Sequence, residues 1–287
     1  MKKLAGYLRL MRPINCLMMG FAVIVGAALA NSNTLGSHWQ NLVYGFLTGF
    51  LLTAASMVIN DYYDREIDAI NEPSRPIPSG LVKPKEALTF AILLTFLGLT
   101  ASLLTSVKAI ALCFATALIF WLVSASYVTV GKRTGLLGNL LVSACVSAPF
   151  IYGSLAVANE VKGNIWIFVS MVFLSNTGRE ITKGIVDVQG DKAQNVKTVA
   201  VRHGERTAAL AASALYLLAV VLTPLPPLLN FVSVWFIPLV IITDVGLIAS
   251  SIRLLRDYSR ENARKVKNQI LAWFLIGLIA FLVGSLS

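Results

Sequence analysis

Charge is what this chain has least of. Only 13% of its 287 residues are Asp, Glu, Lys or Arg, against roughly 25% in a soluble domain. Cysteine is nearly absent. Cys16, Cys113 and Cys145 fall inside apolar stretches without paired spacing, which excludes a disulfide framework and a thiolate metal centre. The two histidines, His38 and His203, lie in separate loops, so a histidine-ligated metal is excluded as well.

Hydrophobic residues make up 56% of the chain. They form nine runs: 14–30, 42–59, 87–104, 109–128, 136–158, 165–178, 207–222, 232–252 and 270–286. None contains Lys or Arg, and Asp244 in the eighth run is their lone acid. A ~30 Å hydrocarbon core takes about 20 helical residues. Most runs meet that length, and the sixth needs its polar flanks to complete a span. The first run is read as a span, since no small-residue cleavage site leads into a soluble domain. The expected fold is an all-α polytopic bundle of about nine transmembrane helices, one membrane-embedded domain over 1–287. A short interfacial helix is expected over 1–11, with Leu4, Tyr7, Leu8 and Met11 at helical spacing.

The bases set the expected orientation. With nine alternating spans, 22 of the 24 Lys and Arg fall on one side, and only Lys108 and Lys162 on the other. By the positive-inside rule the N-terminus is cytoplasmic and the C-terminus outside. A net charge of +10 split among short loops at one membrane face suits membrane lipid headgroups and anionic substrates rather than nucleic acid. The oligomeric state stays open.

The acids are concentrated. Of the 14, 10 lie in two loops, 60–86 and 179–206. These loops follow the second and sixth spans, a spacing that hints at a duplicated four-helix unit. The first opens Asn60-Asp61-Tyr-Tyr-Asp64-Arg-Glu-Ile-Asp68. On a helix continuing the second span, Asp61, Asp64 and Asp68 share one face at i, i+3 and i+7, with Asn60 beside Asp64. Like charges on one face repel unless a cation sits among them. Oxygen ligands favour a hard cation, and Mg²⁺ takes one or two carboxylates plus substrate phosphates. The second motif runs Arg179-Glu180-Ile-Thr-Lys183-Gly-Ile-Val-Asp187-Val-Gln-Gly-Asp191, with Glu180, Lys183, Asp187 and Asp191 on one stripe. Before it, Ser175, Asn176 and Thr177 are expected to face a cavity. A lone acidic pair reads as solvated loop charge, as do Glu66, Glu72, Glu86 and Glu205. Two carboxylate clusters at the ends of membrane helices read as a site for Mg²⁺ and a diphosphate, over an apolar bundle that takes a hydrocarbon chain. A prenyl diphosphate fits both parts.

The segment 60–80, NDYYDREIDAINEPSRPIPSG, resembles the first aspartate-rich motif of the UbiA superfamily of intramembrane prenyltransferases, and Asp187-Val-Gln-Gly-Asp191 resembles the second. Arg12-Pro-Ile-Asn15-Cys16 and Ile77-Pro-Ser-Gly80 are most similar to its archaeal branch, which joins a prenyl group to a glyceryl phosphate lipid. The resemblance implies that Asn60, Asp61, Asp64 and Asp68 hold one Mg²⁺–diphosphate contact set and Asp187 and Asp191 the other. It makes Arg75, Lys132, Arg133, Arg179 and Lys183 candidate diphosphate clamps. Tyr127 resembles a tyrosine near the diphosphate, and Asn15 is a candidate facing the cavity. The implied partners are a prenyl diphosphate donor and a lipid acceptor. Prenylation of an aromatic quinone precursor would use the same site. A CDP-alcohol phosphotransferase would carry a denser Asp-Gly…Ala-Arg…Gly…Asp pattern, which is missing. A transporter would place ionisable groups at mid-membrane, where Asp244 stands by itself.

Overall fold

The computed structural model describes residues 2–129, 131–193 and 195–286, with the side chains of 2, 34, 67, 70, 71, 132 and 133 left out. Among the described residues the chain is helical with no strand. In order it forms α1 (Lys2–Met11), α2 (Pro13–Asn31), α3 (Trp39–Tyr63), α4 (Arg65–Asn71), α5 (Pro84–Leu104), α6 (Ile110–Thr129) and α7 (Leu136–Ala158). Then come α8 (Ile165–Val186), α9 (Val188–Ala193), α10 (Val199–His203), α11 (Glu205–Leu222), α12 (Leu225–Leu228), α13 (Phe236–Arg256) and α14 (Arg260–Ser285).

Eight helices among the described residues are long and apolar enough to cross a membrane: α2, α3, α5, α6, α7, α11 extended through α12, α13 and α14. The protein is a multi-pass membrane protein. The sequence reading expected about nine spans, and α8 is the remaining long helix. Its 22 residues cover about 33 Å at 1.5 Å each. It falls short on apolarity, because Arg179, Glu180 and Lys183 occupy its second half.

The surface is inverted relative to a soluble protein. Ile92, Phe96, Ile119, Val221 and Val245 are exposed, whereas Ser143, Ser147, Asn176, Thr177 and Thr182 are buried. Asn176 Nδ2 and Thr177 Oγ1 both donate to Ser143 Oγ of α7, at 3.1 and 2.8 Å. Of the polar trio expected to face a cavity, Ser175 lines one and Thr177 another, and Asn176 is taken up by α7. With hydrocarbon outside, helix association rests on close packing of small residues. Helices α2 and α7 meet at Gly26 and Gly153. A Cβ on Gly153 would press into the α2 backbone at Val23 and Ala27, and one on Gly26 would press into the backbone of Phe150.

Helix α2 also packs on α3 and α14, and α8 packs on α7, α11 and α14. An apolar cavity lies between α2, α7, α8, α11, α13 and α14. At the end opposite the acidic loops it is lined by Phe281, whose ring meets Phe168, Phe236 and Phe150 at centroid distances of 4.8, 6.0 and 6.1 Å.

Three local expectations change. The interfacial helix forms, but Leu10 is its fully buried residue, and Leu4 and Leu8 face outward. Helix α14 starts at Arg260, ten residues before the apolar run, because Ser259 Oγ caps it by accepting from the Asn262 N–H at 3.4 Å. Neither acidic stripe lies on a continuous helix. Asp64 is the junction of α3 and α4, and Asp187 the junction of α8 and α9.

Candidate active site

The two acidic motifs are built alike. In the first, the Asp64 N–H donates to Asn60 O at 2.9 Å and the Asp68 N–H to Asp64 O at 2.8 Å. In the second, the Asp187 N–H donates to Lys183 O at 3.0 Å and the Asp191 N–H to Asp187 O at 2.9 Å. The i→i−4 bonds therefore run through each junction while the helix itself stops. Spacing by one turn survives, and the chain is free to bend over the end of the bundle.

On the α3–α4 side, Asp61, Asp64 and Asp68 are 4%, 7% and 5% exposed. Burying three carboxylates together is costly unless cations neutralise them. Two arginines do so. Arg12 Nη2 donates to Asp61 Oδ1 at 2.6 Å. Arg75 Nη1 donates to Asp68 Oδ2 at 2.6 Å and reaches Asp61 Oδ1 at 3.4 Å. Asn60 Nδ2 donates to Asp64 Oδ2 at 2.9 Å. Arg12 gets there because its backbone is left-handed, φ 52°, at the turn between α1 and α2. Burial pushes the Asp68 carboxyl above the ordinary aspartate range; Arg75 opposes this, and Asp64 and Asp61 add to it. Burial also works against the Arg75 cation, but Asp68 and Asp61 outweigh it and hold its pKa above the ordinary value.

On the α8–α9 side, Glu180 is buried at 8% exposure. Arg179 Nη1 donates to its Oε1 at 3.3 Å and Lys183 Nζ to its Oε2 at 3.4 Å. Asp187 is exposed and Asp191 half-buried. Tyr127, near the end of α6, links the two sides: it lies within electrostatic reach of Lys183 and Glu180, of Asp64, and of Asp191. The structure thus brings Asn60, Asp61, Asp64, Asp68, Arg75, Tyr127, Arg179, Lys183, Asp187 and Asp191 to one end of the bundle. Asn15 is half-buried in the first turn of α2. The side chains of Lys132 and Arg133 lie outside the described residues.

The sequence reading missed two partners. Arg12 stands 49 positions from Asp61, so spacing carries no signal for the pair. Glu180 was on the second stripe but was given no role; its flanking by Arg179 and Lys183 was the available signal.

Among the described residues, no group of three or more Asp, Glu, His or Cys stands ready to hold a metal by itself. The donor set still fits Mg²⁺. The buried carboxylates offer only oxygen, and this ion typically uses one or two carboxylates and completes its shell with water and substrate phosphate. Arg12 and Arg75 occupy the oxygens that such a cation would share.

A model of the UbiA prenyltransferase family matches residues 19–282. The chain belongs to the UbiA prenyltransferase family. Among UbiA relatives, digeranylgeranylglyceryl phosphate synthase of Methanocaldococcus jannaschii is 34% identical over 286 residues, covering 100% of this chain and 98% of the relative. A solved structure of digeranylgeranylglyceryl phosphate synthase in membranes is 33% identical with TM-score 0.77, covering 100% of this chain and 99% of that one. A UbiA homologue from Archaeoglobus fulgidus bound to GPP and Mg²⁺ has TM-score 0.67 at 19% identity, covering 96% and 99%, and shares the fold.

Proposed function

We propose that this UbiA protein transfers a geranylgeranyl group from its diphosphate to geranylgeranylglyceryl phosphate, forming the second ether bond of an archaeal membrane lipid. The observation that carries the reading is the pair of acidic helix junctions at one end of an apolar bundle, both within electrostatic reach of Tyr127. The full-length relatedness to digeranylgeranylglyceryl phosphate synthases supports the choice of acceptor, and the Archaeoglobus homologue bound to GPP and Mg²⁺ supports the metal.

Asp61, Asp64 and Asp68 would hold one Mg²⁺, with Asn60 orienting Asp64, and Asp187 and Asp191 a second. Bound there, Mg²⁺ would supply Lewis-acid stabilisation of the charge that develops on the departing diphosphate. Arg75 and Lys183 are the proposed clamps on the remaining phosphate oxygens. The allylic C1–O bond breaks and the electron pair leaves with pyrophosphate. The apolar bundle keeps water from the allylic cation. The free glycerol hydroxyl of the acceptor then forms the new C1–O bond and releases its proton. Preorganised charge at the leaving group is the main source of acceleration.

We also propose that residues 1–287 act as one membrane domain with the site facing the cytoplasm. The 22-to-2 split of bases supports that orientation. The test of function is product analysis with labelled geranylgeranyl diphosphate and two competing acceptors. Digeranylgeranylglyceryl phosphate is the expected product. Prenylated 4-hydroxybenzoate in its place would overturn the acceptor assignment and leave the metal site standing.

A further inference from the structure

The two sides of the site differ in charge. On the α3–α4 side, three buried carboxylates face two guanidiniums, Arg12 and Arg75. On the α8–α14 side the imbalance is reversed. Arg179 and Lys183 share the one carboxylate of Glu180. Arg179 Nε is buried without a hydrogen-bond partner among the described residues. Lys267 of α14 is half-buried and feels Arg179, Lys183 and Arg264 as repelling neighbours, with Asp187 as its attracting one. On the first side carboxylates outnumber cations; on the second the four cations Arg179, Lys183, Arg264 and Lys267 outnumber the three carboxylates Glu180, Asp187 and Asp191.

Two helical columns place the surplus cations over the apolar cavity. On α8, Met171 and Ser175 line the cavity, and Arg179 is the next residue up the same stripe toward the acidic loops. On α14, Phe274 and Leu278 line it, and Lys267 stands two turns above Phe274. The columns are fixed against each other. Arg260 Nε donates to Val186 O at 3.0 Å, tying the start of α14 to the end of α8. Ile181 and Ile185 pack in one core with Ala263, Val266 and Ile270. Lys267 follows Val266 and precedes Ile270, both fully buried, so its stem leaves a packed wall. Among the described residues, none of α3, α5 or α6 lines the cavity.

We infer that Lys267 and Arg179 form a second anion subsite, which takes the phosphate of the acceptor lipid while its hydrocarbon tail enters the cavity below. The inference rests on the proposed acceptor and deepens it. A cation pair above an apolar cavity recognises a monophosphate ester carrying a long chain. It also separates that phosphate from the donor diphosphate, which would be held through metal ions between the Asp61–Asp68 and Asp187–Asp191 junctions.

The test is steady-state kinetics of the full-length enzyme in lipid nanodiscs, with labelled geranylgeranyl diphosphate. Geranylgeranylglyceryl phosphate is compared with geranylgeranylglycerol, the same acceptor without its phosphate. In Lys267→Gln the KM for the phosphorylated acceptor should rise roughly 10- to 100-fold, the loss of one charge-assisted contact. The KM for the donor should stay within about twofold, and the phosphate-free acceptor should not distinguish variant from wild type. Lys267→Arg, which keeps the charge, should restore most of the acceptor affinity. A rise in donor KM, or equal losses with both acceptors, would overturn the inference alone. If wild-type enzyme makes no product from geranylgeranylglyceryl phosphate, the functional reading falls and the inference with it.

Discussion

Arg12 Nη2 lies 2.6 Å from Asp61 Oδ1, a contact between the turn that starts the first membrane helix and the acidic end of the second. Asp61 is buried and its other cation, Arg75, is farther away at 3.4 Å. Arg12→Ala should therefore destabilise the metal-free protein, by about 1–2 kcal/mol once the exposure of Arg12 is allowed for. Mg²⁺ with pyrophosphate should restore much of the loss by supplying replacement charge. Thermal denaturation in detergent, with and without those ligands, checks both halves. Equal destabilisation in the two conditions would mean that Arg12 acts on packing alone.

Removing the metal should stop the reaction. Excess chelator should abolish turnover, and added Mg²⁺ should restore it. Asp64→Ala and Asp187→Ala should be inactive while remaining folded and extractable. Lys183→Ala should slow turnover by ~10²–10³-fold if it acts as one preorganised electrostatic donor. Turnover that persists in chelator would end the assignment of these carboxylates.

The contact of α2 with α7 predicts a stability effect far from the chemistry. Gly153→Ala has no room against the α2 backbone and should cost roughly 1–3 kcal/mol, the usual range for overpacking. Gly163→Ala is the control, because a Cβ there meets nothing within 4 Å. Thermal midpoints of the two variants should separate clearly.

Orientation can be read chemically. Cys16 and Cys113 are buried. A reporter cysteine replacing Tyr258, 40% exposed between α13 and α14, should be labelled from the cytoplasm. One replacing Val107, 92% exposed between α5 and α6, should be labelled only from the other side. Labelling of both from one side, or the reverse pattern, would overturn the proposed topology.

Most of the fold was legible because a bilayer imposes one length and one composition on each span. Helix α8 blurred that rule: a helix that also builds the site gives its last turns to Arg179, Glu180 and Lys183. The carboxylates Asp61, Asp64 and Asp68 were legible as a turn-spaced set. That the helix stops at Asp64 was not, since the backbone hydrogen bonds continue across the junction and leave no breaker residue in the sequence. Arg12 and Lys267 were harder still. Each owes its place to tertiary packing, Arg12 to a left-handed turn and Lys267 to the α8–α14 wall. In sequence both are ordinary members of basic loops.

The three phenylalanines packed on Phe281 have a bearing on the cell as well as on the substrate. A protein that sets a charged, wetted site above a cavity in the bilayer risks opening a conduit for protons and small ions. Aromatic rings packed at the far end narrow that route. Packing of this kind favours loading of lipid substrates from one surface while the transmembrane voltage and ion gradients are held.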